Sequence, residues 1–176
     1  MKISIPTRII YFNKEELDNW VMGNRENCQD PYCKKLSGSK GFGEYIAGRY
    51  FESFGYEWIH HDYNLFGGNK LGKYPKAEAI FRSYFGDDRY EKGRGFYPNF
   101  SPFIRIEEPD LLVYKPDYSE VLFVECKRMD TKDKLRVSQI KGLALLKLLF
   151  DCPVEVIEIV EGYGEAEKGE PLVWEL

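Results

Sequence analysis

Apolar residues fall into two periods along this chain, and each marks its own elements. The clearest strand signals are residues 110–115 and 120–127. There Leu111-Leu112-Val113-Tyr114 and Val121-Leu122-Phe123-Val124 flank Pro116-Asp117-Tyr118-Ser119. That spacer is turn chemistry, so a β-hairpin is predicted. Upstream, Ile46, Tyr50 and Phe54 recur at helical spacing, predicting a helix over 42–54 with Gly55 as its stop. Asn13 followed by Glu16 reads as a capping box that opens a short helix through about Met22. Residues 23–41 are polar and glycine-rich and read as loop. Residues 56–60 read as a strand. Residues 62–103 are dense in Gly, Tyr, Phe, Lys and Arg, and only 76–85, opened by Pro75, has a helical pattern. After the hairpin come a helix over 133–150, a strand over 153–160 and an edge strand over 171–176. This order predicts an α/β fold with a mixed central sheet flanked by helices: one domain, 1–176, with an insertion at about 62–108.

The hairpin carries the first chemical clue. With Lys115 facing Glu120 across the turn, Asp110 falls directly opposite Glu125, their Cβ atoms about 4.5–5.5 Å apart. Opposed like charges destabilise a sheet, and burial sharpens the conflict unless a cation lies between them. Strand parity puts Glu125 and Lys127 on one face and Leu122, Val124 and Cys126 on the other, which makes Cys126 a core side chain. A carboxylate pair beside an ammonium is what metal-assisted phosphodiester hydrolysis needs, because a metal activates water and a lysine offsets developing charge. The competing reading is a surface hairpin whose polar residues face solvent. A one-residue slip in register would move Asp110 to the far face.

A net charge of −4 looks wrong for a nucleic-acid partner until its position is considered. From Asp151 to the end eight acids face one base, so residues 1–150 carry a net +3 and can present a basic face. With 43% hydrophobic residues the chain is not disordered. No apolar run approaches the roughly 18 residues of a membrane span. Residues 1–10 hold charge and a proline where an export leader would be apolar, so a cytoplasmic protein is expected. Of four cysteines, Cys28 and Cys33 could supply half of a zinc site, with His60 and His61 as distant partners, but reduced thiols are the expected state.

Pro109-Asp110, followed by Phe123-Val124-Glu125-Cys126-Lys127, resembles the PD-(D/E)XK nuclease superfamily. The likeness is closest to its VRR-NUC branch, through Asp133, Leu135 and Gln139 ahead of an apolar helix; Arg136 stands where that branch has a small hydroxyl residue. Gly43-Glu44-Tyr45-Ile46-Ala47 fits the glutamate-bearing first core helix. The resemblance covers 41–60 and 109–160. It implies a restriction-endonuclease-like αβββαβ core, with the insertion between the first core strand and the catalytic hairpin. It further implies Mg²⁺ or Mn²⁺ held by Asp110, Glu125 and the carbonyl of Cys126, with Glu44 acting through water or on a second metal. Lys127 would position the attacking water, and Gln139 would orient Lys127 or touch nucleic acid.

Arg128, Lys132, Lys134, Arg136 and Lys141 follow the E-x-K strand and could track phosphates. In the insertion, Lys70, Lys73, Lys76, Arg82, Arg89, Lys92, Arg94 and Arg105 interleave with Phe66, Tyr74, Tyr84, Tyr90, Phe96, Tyr97 and Phe100. Such rings either stack on unpaired bases or pack the insertion onto the domain. A metal-dependent nuclease acting on DNA ahead of RNA is therefore expected, with no membrane partner. Two alternatives are a non-catalytic nucleic-acid-binding or assembly module and a restriction-type endonuclease whose specificity lies in the insertion. A homodimer or membership of a phage or mobile-element complex would suit either assembly state.

Overall fold

A computed structural model describes residues 2–100 and 102–175, apart from the side chains of Tyr97 and Phe100. In chain order the elements begin with β1 (Lys2–Ile5), β2 (Thr7–Phe12), α1 (Lys14–Val21), α2 (Pro31–Lys35), α3 (Phe42–Glu52) and β3 (Glu57–His60). The insertion supplies α4 (Pro75–Phe85), α5 (Asp87–Arg94) and α6 (Phe96–Phe100). Then follow β4 (Leu111–Tyr114), β5 (Val121–Arg128), α7 (Val137–Phe150), β6 (Val154–Glu161), β7 (Glu167–Lys168) and β8 (Leu172–Glu175).

Six strands form a mixed sheet in the order β3-β4-β5-β6-β2-β7. The β3-β4-β5 run is antiparallel, and β6 and then β2 continue parallel to β5. Each face carries its own core. One holds Trp20, Phe42, Ile46, Ala47 and Phe51 against Leu111, Val113, Val124, Cys126, Ile157 and Ile159. The other holds Leu143, Leu146 and Phe150 of α7, with Ile80, Phe81 and Tyr90 of the insertion, against Leu112, Tyr114, Val121 and Phe123. The alternation along β4 and β5 is therefore a division between two hydrophobic layers. At roughly 1.5–3 kcal/mol per buried large side chain, a one-residue slip would cost several such burials at once. Among the described residues no helix is long and apolar enough to cross a membrane.

Hairpin pairing follows the turn. Leu111 lies opposite Val124 and Tyr114 opposite Val121, and Lys115 N–H donates to the Glu120 carbonyl at 3.0 Å. The Asn13–Glu16 capping box is formed in both directions, at 3.0 and 2.9 Å. Other expectations need correction. The helix expected from 133 begins at Val137, because Lys132 is in the left-handed region (φ 58) and Asp133 N–H bonds back to the Arg128 carbonyl, which holds 129–136 as a loop. The segment 23–41 contains α2, capped by Asp30 with Pro31 in its first turn, a start signal that reading the segment as loop passed over. Where residues 1–10 were expected to be without strands, Lys2–Ile5 and Thr7–Phe12 are β1 and β2, and β2 lies inside the main sheet beside β6; Met1 lies outside the described residues. The expected edge strand over 171–176 is β8, but it pairs with β1 rather than with the main sheet; Leu176 lies outside the described residues.

Candidate active site

The acids meet where β4 begins and β5 ends. Asp110 directly precedes Leu111, which opens β4, and its carboxylate comes close enough to act on Glu125 of β5. Its Oδ2 accepts the Cys126 backbone N–H at 2.8 Å, which anchors one carboxylate oxygen on the neighbouring strand. The backbone here is held from both sides. His60 Nδ1 lies 3.0 Å from the Asp110 carbonyl, and the buried Tyr63 hydroxyl donates to the Pro109 carbonyl. Glu108 is anchored too: its carboxylate accepts the N–H groups of Leu65 (2.5 Å) and Phe66 (2.8 Å) at the start of the insertion.

Glu125 is wholly buried. Its Oε1 takes the Lys127 ammonium at 2.8 Å and the Gln139 side-chain amide, while its Oε2 is buried with no hydrogen-bond partner. Gln139 reaches it because its own Oε1 accepts the Arg136 N–H at 3.0 Å in the first turn of α7. Lys127 is likewise buried and sits 3.3 Å from Asp133. Glu44, in the first turn of α3, lies close enough for Asp110, His60 and Lys127 to act on it.

Charge in this cluster is out of balance. Burial, and then the neighbouring Asp110 carboxylate, push the Glu125 carboxyl up to about 9, with Lys127 opposing. Burial and Asp110 likewise raise Glu44, and His60 and Lys127 only partly offset them. The Lys127 ammonium is held above its ordinary value, its burial outweighed by Glu125 first and then by Asp110 and Asp133. One ammonium thus faces four carboxyl groups, Glu44, Asp110, Glu125 and the more exposed Asp133. That pattern disfavours full ionisation unless more positive charge arrives.

A cleft of about 320 Å³ opens over this corner, lined by Tyr32, Lys40, Glu44, His60, Cys126 and Arg128 among others. Larger hollows of about 640 and 620 Å³ lie elsewhere, one against α5 and the end of α7, the other beside Trp58 and Tyr114. Neither these hollows nor the 320 Å³ cleft is lined by Asp110 or Glu125, so charge and burial mark the site better than size does. Among the described residues no three His, Cys, Asp or Glu side chains converge as a ready-made metal cage. Mg²⁺ does not require one, since it takes one or two carboxylates and fills its shell with waters and phosphate oxygens. The orphaned Glu125 Oε2 beside Asp110 fits that demand.

The remaining candidates scatter. Arg128 lines the cleft but is paired with Asp130 at 2.5 Å. Lys132 and Lys134 are exposed on the 129–136 loop. Arg136 is turned to Glu107 at 2.6 Å, and Lys141 borders a separate apolar groove with Ile104, Leu145 and Trp174. Two of the five, Arg128 and Arg136, are thus engaged by acids of the chain itself. Cys28 and Cys33 are buried, hydrogen-bonded to each other, and Cys33 also reaches the Gly41 carbonyl at 3.2 Å, so they tie the cleft wall down. His60 and His61 are turned to other partners, and no zinc cage forms among the described residues.

Of the insertion rings, Phe66 and Tyr90 are buried, Tyr74 and Tyr84 pack against the core, and Phe96 lies 6.2 Å from Phe66. The side chains of Tyr97 and Phe100 lie outside the described residues. Sequence reading missed Tyr63 and the acids Glu107 and Glu108. The run Glu107-Glu108-Pro109-Asp110 was the available signal, since acids packed that closely in sequence need partners of their own. No protein-family model, curated protein or solved structure matches this chain.

Proposed function

We propose that this chain is a divalent-metal-dependent nuclease that hydrolyses phosphodiester bonds of nucleic acid, DNA ahead of RNA. We read its α3-β3-β4-β5-α7-β6 run as a restriction-endonuclease-like core of the PD-(D/E)XK type, VRR-NUC-like. The observation that carries the reading is the unpartnered Glu125 Oε2, buried beside Asp110 in a cluster with too little positive charge. A surface hairpin would leave its acids in water, and a binding module has no use for buried carboxylates that repel each other.

Asp110, Glu125 and the Cys126 carbonyl would hold Mg²⁺ or Mn²⁺, with Glu44 acting through water. When bound, the ion lowers the pKa of a water and draws charge from the phosphate. The protein's own groups do the positioning. The Cys126 N–H fixes one Asp110 oxygen, which holds the Asp110 carboxylate against Glu125. Gln139 and Lys127 both engage Glu125 Oε1, which leaves Oε2 as the donor. Lys127 also brings a permanent positive charge to the site where negative charge builds on the transferring phosphoryl group.

The test is cleavage of single-stranded and duplex DNA with Mg²⁺, Mn²⁺ or EDTA. Metal-dependent cleavage should fall at least about 100-fold in Lys127→Ala and in Asp110→Ala, the scale expected when a transition-state charge partner is removed. Unchanged cleavage in both variants would trace the activity to a contaminant. Binding without cleavage in every metal would favour the non-catalytic assembly module.

A further inference from the structure

We propose that the cleft over the acid cluster receives one unpaired nucleotide, whose base stacks on the Tyr32–His61 ring pair. Single-stranded nucleic acid, rather than continuous duplex, is then the substrate class. The cleavage step rests on the nuclease reading; the binding step does not.

Three observations carry this. First, the Tyr32 and His61 rings are parallel, 4.0 Å between centroids and 4° between planes, and Tyr32 lines the cleft that holds Glu44 and Cys126. Second, the pair is built and held. Tyr32 lies in the first turn of α2, whose cap Asp30 accepts the Cys33 N–H at 2.7 Å and the His60 N–H at 3.0 Å. His61 stands in the left-handed region at φ 69 with its Nδ1 2.9 Å from Asp62, and its side chain is still 49% exposed. A non-glycine residue in that region is uncommon and points to a constrained position. Third, charge separates the two sides of the ring pair. On the cleft side Lys40 and Arg128 are matched by Glu44 and Asp133, and Arg128 is also paired with Asp130. The 620 Å³ hollow behind it is lined by Asp30, Glu52, Glu57 and Asp62 against only Lys73 and Lys76. The excess of acids in the hollow repels a phosphate chain more than the balanced cleft does, so the chain runs on the cleft side and the neutral base is the part that meets the rings.

Volume agrees with a single unit. About 320 Å³ lies at the small end of the roughly 300–1,000 Å³ range of ligand pockets. A paired base would first have to leave its stack, a cost that an unpaired base does not carry. Base-on-ring stacking tolerates any sequence, because every base has a π-face.

The test is fluorescence anisotropy in EDTA, with a fluorescein-labelled oligothymidylate kept near the ~4–16-nucleotide site size so that it cannot shift register. A hairpin duplex of matched length is the comparison. Wild type should prefer the single strand, and Tyr32→Ala should weaken that binding by roughly 5- to 150-fold, the loss expected for one stacked base. Tyr32→Phe should restore it. Independently of any protein variant, a strand series with one abasic residue should lose affinity for wild type at one position. That loss should vanish in Tyr32→Ala. Equal affinity for strand and duplex, or a strand affinity unchanged in folded Tyr32→Ala, overturns the proposal. Tyr32-dependent binding without cleavage in any metal upholds the stacking site and refutes the nuclease. Cleavage of duplex that ignores Tyr32→Ala does the reverse.

Discussion

Residues 23–41 and 62–108 look alike as sequence in being polar and punctuated by glycine, but the shorter has one aromatic ring, Tyr32, and the longer has many. In the fold they do opposite work. The longer segment sends Phe66, Ile80, Phe81 and Tyr90 into the same core as α7 and Phe123. Its cations are largely occupied within the molecule, Arg82 by Asp87 and Glu91, Lys76 by Glu57 and Arg105 by Glu107. The shorter segment buries Cys28 and Cys33 as anchors and leaves Tyr32 and Lys40 along the cleft over the acids. Abundance of rings and charges thus says little about which segment meets a ligand. What distinguishes them is whether the rings have an apolar surface to cover, and the α7 side of the sheet offers one.

The sharpest way to break this comparison is in the core. Phe81→Ala should cost about 3–5 kcal/mol, since its ring is fully buried, 5.8 Å from Tyr90 and 6.0 Å from Phe123. Urea unfolding measures it, and a loss below about 1 kcal/mol would make the insertion an applied cover rather than part of the core. Next in size is a pH effect at the acids. A buried glutamate whose carboxyl is raised to about 9, against about 4.3 unfolded, contributes stability that is full below pH ~4.3 and is lost as pH rises through about 9. In EDTA, Glu125→Gln should therefore gain on wild type steadily from pH 5 to pH 9 in thermal melts, and Mg²⁺ should help wild type alone. A constant difference across that range would mean that Glu125 is ionised without help. The smallest effect is electrostatic. Lys40→Ala should leave stability within about 0.5 kcal/mol and lower the salt slope of single-strand binding by about 1, while Lys70→Ala in the insertion leaves the slope unchanged.

The hairpin was legible because its turn fixes its register locally: Asp117 bonds the Ser119 N–H at 3.0 Å and Tyr118 takes φ 60. From that register the opposition of Asp110 and Glu125 follows by counting. Glu44 and Gln139 entered through likeness alone, and nothing in their neighbours' periodicity marked them. Tyr32 was not legible, because its place beside the acids depends on Asp30 bridging α2 to the end of β3, a contact across 30 positions. The strands β1 and β2 were overlooked for a different reason. Their alternation is short, four residues in β1 and six in β2, and Pro6 interrupts it between them.

The central claim is that Asp110 and Glu125 are kept together, against their mutual repulsion, for a divalent cation. Anomalous diffraction from crystals soaked in Mn²⁺ tests it most directly. A peak within coordinating distance of both Asp110 and Glu125 Oε2, absent from crystals of Asp110→Asn, is the expected result. Crystals that show full Mn²⁺ occupancy elsewhere and none between these two carboxylates would contradict it.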